Sequence, residues 1–222
     1  MLIVIDPGHG GQSPGAVHGG VKEKDINLSL ALMVAERLES NYEVFLNREK
    51  DKKVTLKERV KVANEKKADL FLSLHSNAGG GHGFESYVHP GAPKSTQKIR
   101  KDIHTTIMEF LKGYSIRDRG EKTANFYVLR ETTSPAILIE SLFLDNERER
   151  KLLSEEEFLL DLSRAIAAGV EKALPHSSTF PKKIHTVQVG AFMERKGAEI
   201  YLARAREKGF KDAFIVSRNI SS

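Results

Sequence analysis

Cysteine, long apolar runs and a basic leader are all absent from this 222-residue sequence. Without cysteine the chain cannot form disulfides, thiolate metal ligands or a cysteine nucleophile, so a metal site has to use histidine and carboxylate groups. No apolar run approaches the roughly 20 residues that span a bilayer, so we expect no transmembrane helix. The N-terminus reaches Asp6 without a preceding basic residue, so we expect no secretory signal peptide.

Charge is balanced over most of the chain and basic at its end. Lys and Arg total 35 and Asp and Glu total 30, and residues 181–222 contain nine basic and four acidic side chains, which is the whole excess. A basic tail is typical of contact with an anionic surface, such as wall polymer, nucleic acid or membrane, and also of a solvated lysine-rich face. Nucleic acid is the weaker interpretation because the tail lacks an array of stacking aromatics.

Strand-length apolar runs alternate with segments of helical period, which predicts an α/β fold. The predicted strands are Leu2–Asp6, Tyr42–Leu46, Asp69–Leu74, Gly83–Val88, Asn125–Leu129 and Ala136–Ile139. The predicted helices are Asp25–Glu39, Thr55–Lys67, Ser95–Leu111 and Ser154–Leu174, with Asp25 and Thr55 as N-caps. We expect an open, mostly parallel twisted sheet with helices on both faces, whose ligand site lies beyond the carboxyl ends of its strands.

A change in composition divides the chain. Residues 1–174 form the predicted main domain, residues 175–183 a proline-bracketed polar linker, and residues 184–222 a small β-α-β unit. The elements predicted for this unit are the strands His185–Phe192 and Ala213–Val216 and the helix Glu194–Lys208. Because so small a unit buries little surface, we expect it to need another copy, from a longer natural chain or from a second molecule.

Two of the eight histidines directly follow predicted strands. His9 lies in the turn Asp-Pro-Gly-His-Gly-Gly after the first strand, and His75 follows the third. Parallel strands bring both imidazoles to the same end of the sheet, at the carboxyl ends of the strands. Two histidines close together there indicate a metal site. The glycines permit a tight turn, but their spacing matches neither a Walker loop nor a dinucleotide fingerprint.

A catalytic zinc site usually has three protein ligands, so a carboxylate has to complete this one. Glu23 precedes the first predicted helix, near the edge that holds His9. Asp25 lies close by but suits the helix cap better. Glu140 follows four apolar residues, and a carboxylate at the end of a buried strand is costly unless it has a partner or a task.

Four segments resemble the signature blocks of the zinc-dependent N-acetylmuramoyl-L-alanine amidases of the amidase type 3 family. These segments are residues 6–11, 20–28, 68–78 and 138–146, and the similarity extends over roughly residues 2–174. The resemblance implies one Zn²⁺ held by His9, Glu23 and His75, with Glu140 as the catalytic glutamate. In the fourth block Ser141-Leu142 stands where the family more often has Thr-Gly.

The tail resembles the first half of a sporulation-related repeat (SPOR) domain, a family that binds peptidoglycan glycan strands. The similar segments are residues 186–192, 198–199 and 208–210. This resemblance implies a partial SPOR-like repeat that contacts cell-wall glycan. The whole chain is similar to amidases of endospore-forming bacteria that lyse the mother-cell wall, which implies action at the wall and, without a signal peptide, retention in the mother-cell cytoplasm before lysis.

The activity implied by the resemblance is cleavage of the amide between N-acetylmuramic acid and the L-alanine of the stem peptide. Two alternatives remain at this point, a zinc exopeptidase that acts on stem peptides and a non-catalytic peptidoglycan-binding protein. Further polar side chains are candidates for contact with substrate or for structural hydrogen bonds and surface ion pairs. They are Asp6, Arg48, Arg59, Ser76, Asn77 and, in the glycine-rich loop of residues 78–83, His82.

Overall fold

The structure is a computed structural model and describes residues 1–175, 190–210 and 213–215. The chain divides into two compact units, residues 1–182 and residues 183–222. The strands are β1 (Leu2–Pro7), β2 (Val17–His18), β3 (Val21–Lys22), β4 (Glu43–Leu46), β5 (Leu70–Asn77), β6 (Phe84–Val88), β7 (Asp118–Thr123) and β8 (Ala136–Phe143). The helices are α1 (Glu23–Leu38), α2 (Leu56–Glu65), α3 (Lys94–Leu111), α4 (Tyr127–Glu131), α5 (Glu147–Leu153), α6 (Glu156–Ala173) and α7 (Arg195–Glu207).

Six strands form the central sheet of the first unit, in the order β4-β1-β5-β8-β6-β7. The first four are parallel to one another, β6 is antiparallel to β8, and β7 is parallel to β6. Helices α1, α3 and α6 cover one face, and α2 and α4 cover the other. This arrangement confirms the predicted open, mostly parallel sheet with helices on both faces.

Burial on both faces explains the continuous apolar runs of the central strands. In β1, Ile3 and Ile5 pack into the larger core beneath α1, α3 and α6, whereas Val4 packs into the smaller core beneath α2 and α4. All three side chains are fully buried. Alternate residues therefore serve opposite cores, and no polar position is left in the strand until Asp6 at its end.

One predicted strand is wrong, and one strand of the sheet was not predicted. Asn125–Leu129 is not a strand, because helix α4 begins at Tyr127 and buries Val128 and Leu129 against α2. A short apolar run fits a buried helix as well as a strand. Strand β7 was not predicted because its sequence, Asp-Arg-Gly-Glu-Lys-Thr, is polar, as suits an edge strand.

The two predicted helix caps have different outcomes. Thr55 caps α2 in a full capping box with Glu58, as predicted. Helix α1 begins two residues before Asp25, at Glu23, and its N-cap residue Lys22 makes no side-chain cap hydrogen bond. The earlier start places Glu23 itself in the first helical turn, where a negative charge is favoured by the helix dipole.

In the second unit, helix α7 lies within the predicted helix Glu194–Lys208. Residues 190–192 and 213–215, which belong to the two predicted strands, are not in strand conformation. The other residues of those strands, 185–189 and 216, lie outside the described residues, as does most of the predicted linker. Among the helices that the structure describes, none is long and apolar enough to cross a membrane.

Two buried arginines fix the loop that follows β1. Arg59, on α2, donates from Nη1 to Asp6 Oδ1 at 2.5 Å and to the carbonyl of Pro7 at 2.7 Å, and from Nη2 to the carbonyl of His9 at 2.6 Å. Arg48, after β4, donates to the carbonyls of Pro7 and Gly8. Both side chains are buried and bonded to this loop, so the alternative that Arg48 and Arg59 form surface ion pairs is wrong.

We expect Arg59→Met to lower the free energy of unfolding by about 3–5 kcal/mol, because it leaves the buried Asp6 carboxylate without its cation. Urea unfolding followed by circular dichroism measures this loss. The matched control is Arg130→Met, whose ion pair with Glu131 is exposed and contributes less than about 1 kcal/mol. Equal losses for the two variants would contradict the positioning role given to Arg59.

Candidate metal centre

His9, Glu23 and His75 converge at the carboxyl edge of the sheet, as predicted. Glu23 lies between the two imidazoles, with its Oε2 at 3.1 Å from His9 Nε2 and its Oε1 at 2.9 Å from His75 Nδ1. One ligand atom from each residue falls within 4.8 Å of the others. In the part of the chain that the structure describes, this is the one group of three or more such residues that could hold a metal ion.

The backbone at the end of β1 brings His9 and His75 together. His9 has a positive φ of 61°, a conformation that is uncommon for residues other than glycine. A Cβ atom on Gly8 would lie 2.3 Å from Cε1 of His75, so the imidazole occupies the space that any other residue would fill. The His9 ring is oriented further by Ser13, whose Oγ lies 3.1 Å from Nδ1.

Several donors orient the Glu23 carboxylate. Its Oε2 accepts a hydrogen bond from the Ala16 amide at 2.9 Å, and its Oε1 accepts one from Asn27 Nδ2 at 3.1 Å. Burial raises the pKa of Glu23, but its contacts with His75 and His9 outweigh that effect and hold the pKa well below its ordinary value. The carboxylate is therefore ionised and ready to bind a cation.

Glu140 lies beside these three residues. It pairs in register with His75 across β5 and β8, so the two side chains project from the same face of the sheet. Its Oε2 is buried and has no hydrogen-bond partner among the described residues. Burial raises the pKa of Glu140 to about 7, with the charge of His75 opposing this and those of Glu23 and Glu85 adding to it.

The donor set fits a zinc ion. Two imidazoles and one carboxylate are a ligand combination of catalytic zinc sites, and bonds of about 2.0–2.2 Å place tetrahedral ligands about 3.3 Å apart. One ligand atom from each of the three residues lies within 4.8 Å of the other two, so all three can reach one ion. Glu140, whose Oε2 has no hydrogen-bond partner among the described residues, lines the same groove as His9 and His75.

A groove of about 490 Å³ opens over the site. Its floor contains His9, His75 and Glu140, and its walls include the apolar side chains of Leu56 and Phe126. Both wall residues are exposed, at 54% and 41% of their surface. Exposed apolar walls beside a polar floor suit a ligand that is partly apolar and has one reactive polar group.

The remaining polar candidates have structural partners. Asp6 accepts from Arg59, Asn47 and Ser73. Ser76 donates to Asn27, and Asn77 donates to Glu85. His82 is exposed in the glycine-rich loop and is not one of the converging ligand residues.

Glu85, which was not among the residues predicted from the sequence, pairs with Glu140 across β6 and β8. Burial raises the pKa of Glu85, but hydrogen bonds from Lys122, Arg119 and Tyr87 lower it to about 2. Glu140 was identified as a carboxylate that follows an apolar run, whereas Glu85 lies inside the strand Phe-Glu-Ser-Tyr-Val, where a carboxylate among apolar residues is a related signal. The cations that contact Glu85 come from β7, the strand that was not predicted.

Comparison with known proteins gives consistent results. The N-acetylmuramoyl-L-alanine amidase family profile matches residues 3–172. The N-acetylmuramoyl-L-alanine amidase CwlM of Bacillus licheniformis is 41% identical over 222 residues, covering 99% of this chain and 86% of that protein. The sporulation-specific N-acetylmuramoyl-L-alanine amidase of Bacillus subtilis (strain 168) is 40% identical over 213 residues, covering 95% of this chain and 82% of that protein.

Among solved structures, the catalytic domain of CwlV, an N-acetylmuramoyl-L-alanine amidase from Bacillus (Paenibacillus) polymyxa var. colistinus, superimposes with a TM-score of 0.73. It is 36% identical, and the match covers 79% of this chain and 99% of that domain. The family profile, the relatives and the shared fold all cover the unit that contains His9, Glu23 and His75. The chain therefore belongs to the N-acetylmuramoyl-L-alanine amidase family.

Proposed function

We propose that this chain is a zinc-dependent peptidoglycan hydrolase that cleaves the amide between N-acetylmuramic acid and the L-alanine of the stem peptide. The observation that carries the proposal is the convergence of His9, Glu23 and His75 beside the half-buried side chain of Glu140. Membership of the amidase family and the names of its relatives support the choice of bond.

His9, Glu23 and His75 would hold the zinc ion. An ion with three protein ligands lowers the pKa of water toward about 7 and polarises a substrate carbonyl, which an unactivated amide requires. The residues around the three ligands keep them in place. Ser13 orients His9, Asn27 and the Ala16 amide orient Glu23, and Arg59 holds the His9 carbonyl.

Glu140 would act as the general base and then as the general acid. Its carboxylate accepts a proton from the attacking water and returns it to the nitrogen of the leaving L-alanine. The Glu140 side chain lines the groove together with His9 and His75, which supports this role.

The site of action proposed for the protein is the bacterial cell wall. Sporulation is the setting named for one of its relatives, and we infer a similar role in wall degradation for this chain. Binding of cell-wall glycan by the basic C-terminal unit stays a prediction from its resemblance to a SPOR repeat.

Complete removal of metal should abolish cleavage of purified peptidoglycan, and added Zn²⁺ should restore it, because the ion would polarise the amide carbonyl and activate the attacking water. Mass spectrometry of the digest identifies the ends formed. An amidase releases intact stem peptides, an exopeptidase releases single amino acids or shortened stems, and a binding protein releases neither. Full activity of the metal-free protein, or release of amino acids alone, would overturn the proposal.

Glu140→Gln should lower kcat by about 10²–10⁴-fold while zinc stays bound, because the amide cannot accept the water proton. Turnover and zinc content are measured on the same sample. Glu157→Gln, on the exposed surface of α6, is the matched control and should leave both unchanged. Near-normal turnover of the Glu140 variant would exclude it as the base.

Gly8→Ala should weaken zinc binding by about 10–100-fold, the range seen when groups that orient metal ligands are changed, because its Cβ displaces the His75 ring. Competition with a chromogenic chelator measures the affinity. Gly113→Ala is the control, since no atom lies within 4 Å of a Cβ built there. Unchanged affinity in the Gly8 variant would show that His75 does not bind the metal.

A further inference from the structure

The buried Glu85 carboxylate accepts hydrogen bonds from four side-chain donors, which fill its acceptor sites. Its Oε2 accepts from Arg119 Nε and Lys122 Nζ, both at 2.5 Å. Its Oε1 accepts from Asn77 Nδ2 at 2.6 Å and from the Tyr87 hydroxyl at 2.7 Å. One negative charge thus faces two positive charges, and both neutral donors add to its stabilisation.

We propose that Arg119 and Lys122 form a binding subsite for a carboxylate of the substrate's stem peptide, with Glu85 as the group that positions both cations. This inference rests on the proposed amidase function, since it assigns a substrate group to the surface beside the same site.

The two cations retain hydrogen-bonding capacity. Lys122 Nζ uses one of its three N–H donors on Glu85. Arg119 uses Nε on Glu85 and Nη1 on the carbonyl of His82, and its Nη2 has no partner among the described residues. Their side chains remain 26% and 34% exposed, respectively, so both can be reached from solvent.

Both cations are also held in place by aromatic rings. The Arg119 guanidinium lies 4.8 Å from the centre of the Phe143 ring, and Lys122 Nζ lies 5.9 Å from that of Tyr87. The glycine-rich loop also approaches Arg119 closely, since a Cβ atom added to Gly81 would lie 3.2 Å from Arg119 Nη1. Because the cations are ordered before a ligand arrives, binding costs little side-chain entropy.

The subsite lies next to the proposed catalytic carboxylate. Glu85 and Glu140 are directly opposite each other on antiparallel strands, so their side chains project from the same face. The Tyr87 ring, which bonds Glu85, also packs on Phe126 at a centroid distance of 5.4 Å, and Phe126 lines the groove. A substrate seated over Glu140 therefore has the Arg119–Lys122 pair at its side.

The chemistry of the substrate identifies the anion. The glycan backbone is uncharged once the lactyl carboxyl group of N-acetylmuramic acid is in amide linkage. The stem peptide retains free carboxylates, on its second residue and at its C-terminus. Arginine binds a carboxylate through paired N–H donors, and lysine adds a second point charge. A cationic pair beside the scissile bond therefore matches the peptide portion of the substrate.

Binding is measured by calorimetry on the full chain with added Zn²⁺ and the Glu140→Gln change, so that the ligand stays intact. The ligand is an N-acetylmuramoyl tripeptide in three forms, with both carboxylates free, with the second-residue carboxylate amidated, and with the C-terminal carboxylate amidated. We expect Arg119→Gln and Lys122→Gln each to raise Kd for the free form about tenfold. We also expect one of the two amidations to raise Kd about as much when Arg119 and Lys122 are both present. With that ligand, neither variant should raise Kd further, and the amidated position then identifies the carboxylate that is bound.

Arg164→Gln, an exposed arginine of α6 that pairs with Asp161, is the matched control and should leave every Kd unchanged. Each variant keeps one of the two cations beside Glu85. If one variant fails to fold, binding by the other variant tests the subsite. If Arg119→Gln and Lys122→Gln raise Kd equally for all three ligand forms, the subsite is overturned. It is also overturned if neither amidation changes the Kd of the unsubstituted cationic pair. Cleavage by the protein with Glu140 intact is assayed separately, so loss of the amidase proposal and loss of the subsite are distinguishable.

Discussion

One carboxylate, that of Glu23, lies between two imidazoles that are 66 positions apart in the sequence, and the geometry of the site depends on it. Its two oxygens face different rings, so a small shift of α1 would separate it from one of them. Helix α1 begins at Glu23 itself, and the Ala16 amide and Asn27 bind the same carboxylate. The helix start is thus coupled directly to the ligand position.

The buried arginines extend this coupling to the loop after β1. Arg48 donates to the carbonyls of Gly8 and Lys24, which joins the His9 loop to the first turn of α1. Arg59 joins the same loop to α2 and to Asp6. A buried cation without partners is costly, so the loop carbonyls and Asp6 stabilise the two arginines in turn. The hydrogen bonds of this network therefore depend on one another.

Much of this arrangement could be predicted from the sequence. Parallel strands point the same way, so His9 and His75 could be placed together at one end of the sheet from the order of the elements. The predicted strands stopped too early, because β5 continues past His75 to Asn77 and β8 past Glu140 to Phe143. Glu23 could be assigned among the acidic candidates through the family resemblance. The polar edge strand β7 and the partners of Arg48 and Arg59 could not be predicted, because they depend on which segments become neighbours in space.

We propose that His9, Glu23 and His75 bind one zinc ion that leaves a coordination position open beside Glu140. Anomalous diffraction at the zinc edge from crystals grown with Zn²⁺ tests it directly. We predict one peak at about 2.0–2.2 Å from a ligand atom of each of the three residues, with no fourth protein ligand. A peak elsewhere, or a fourth protein ligand that closes the site, would contradict the account.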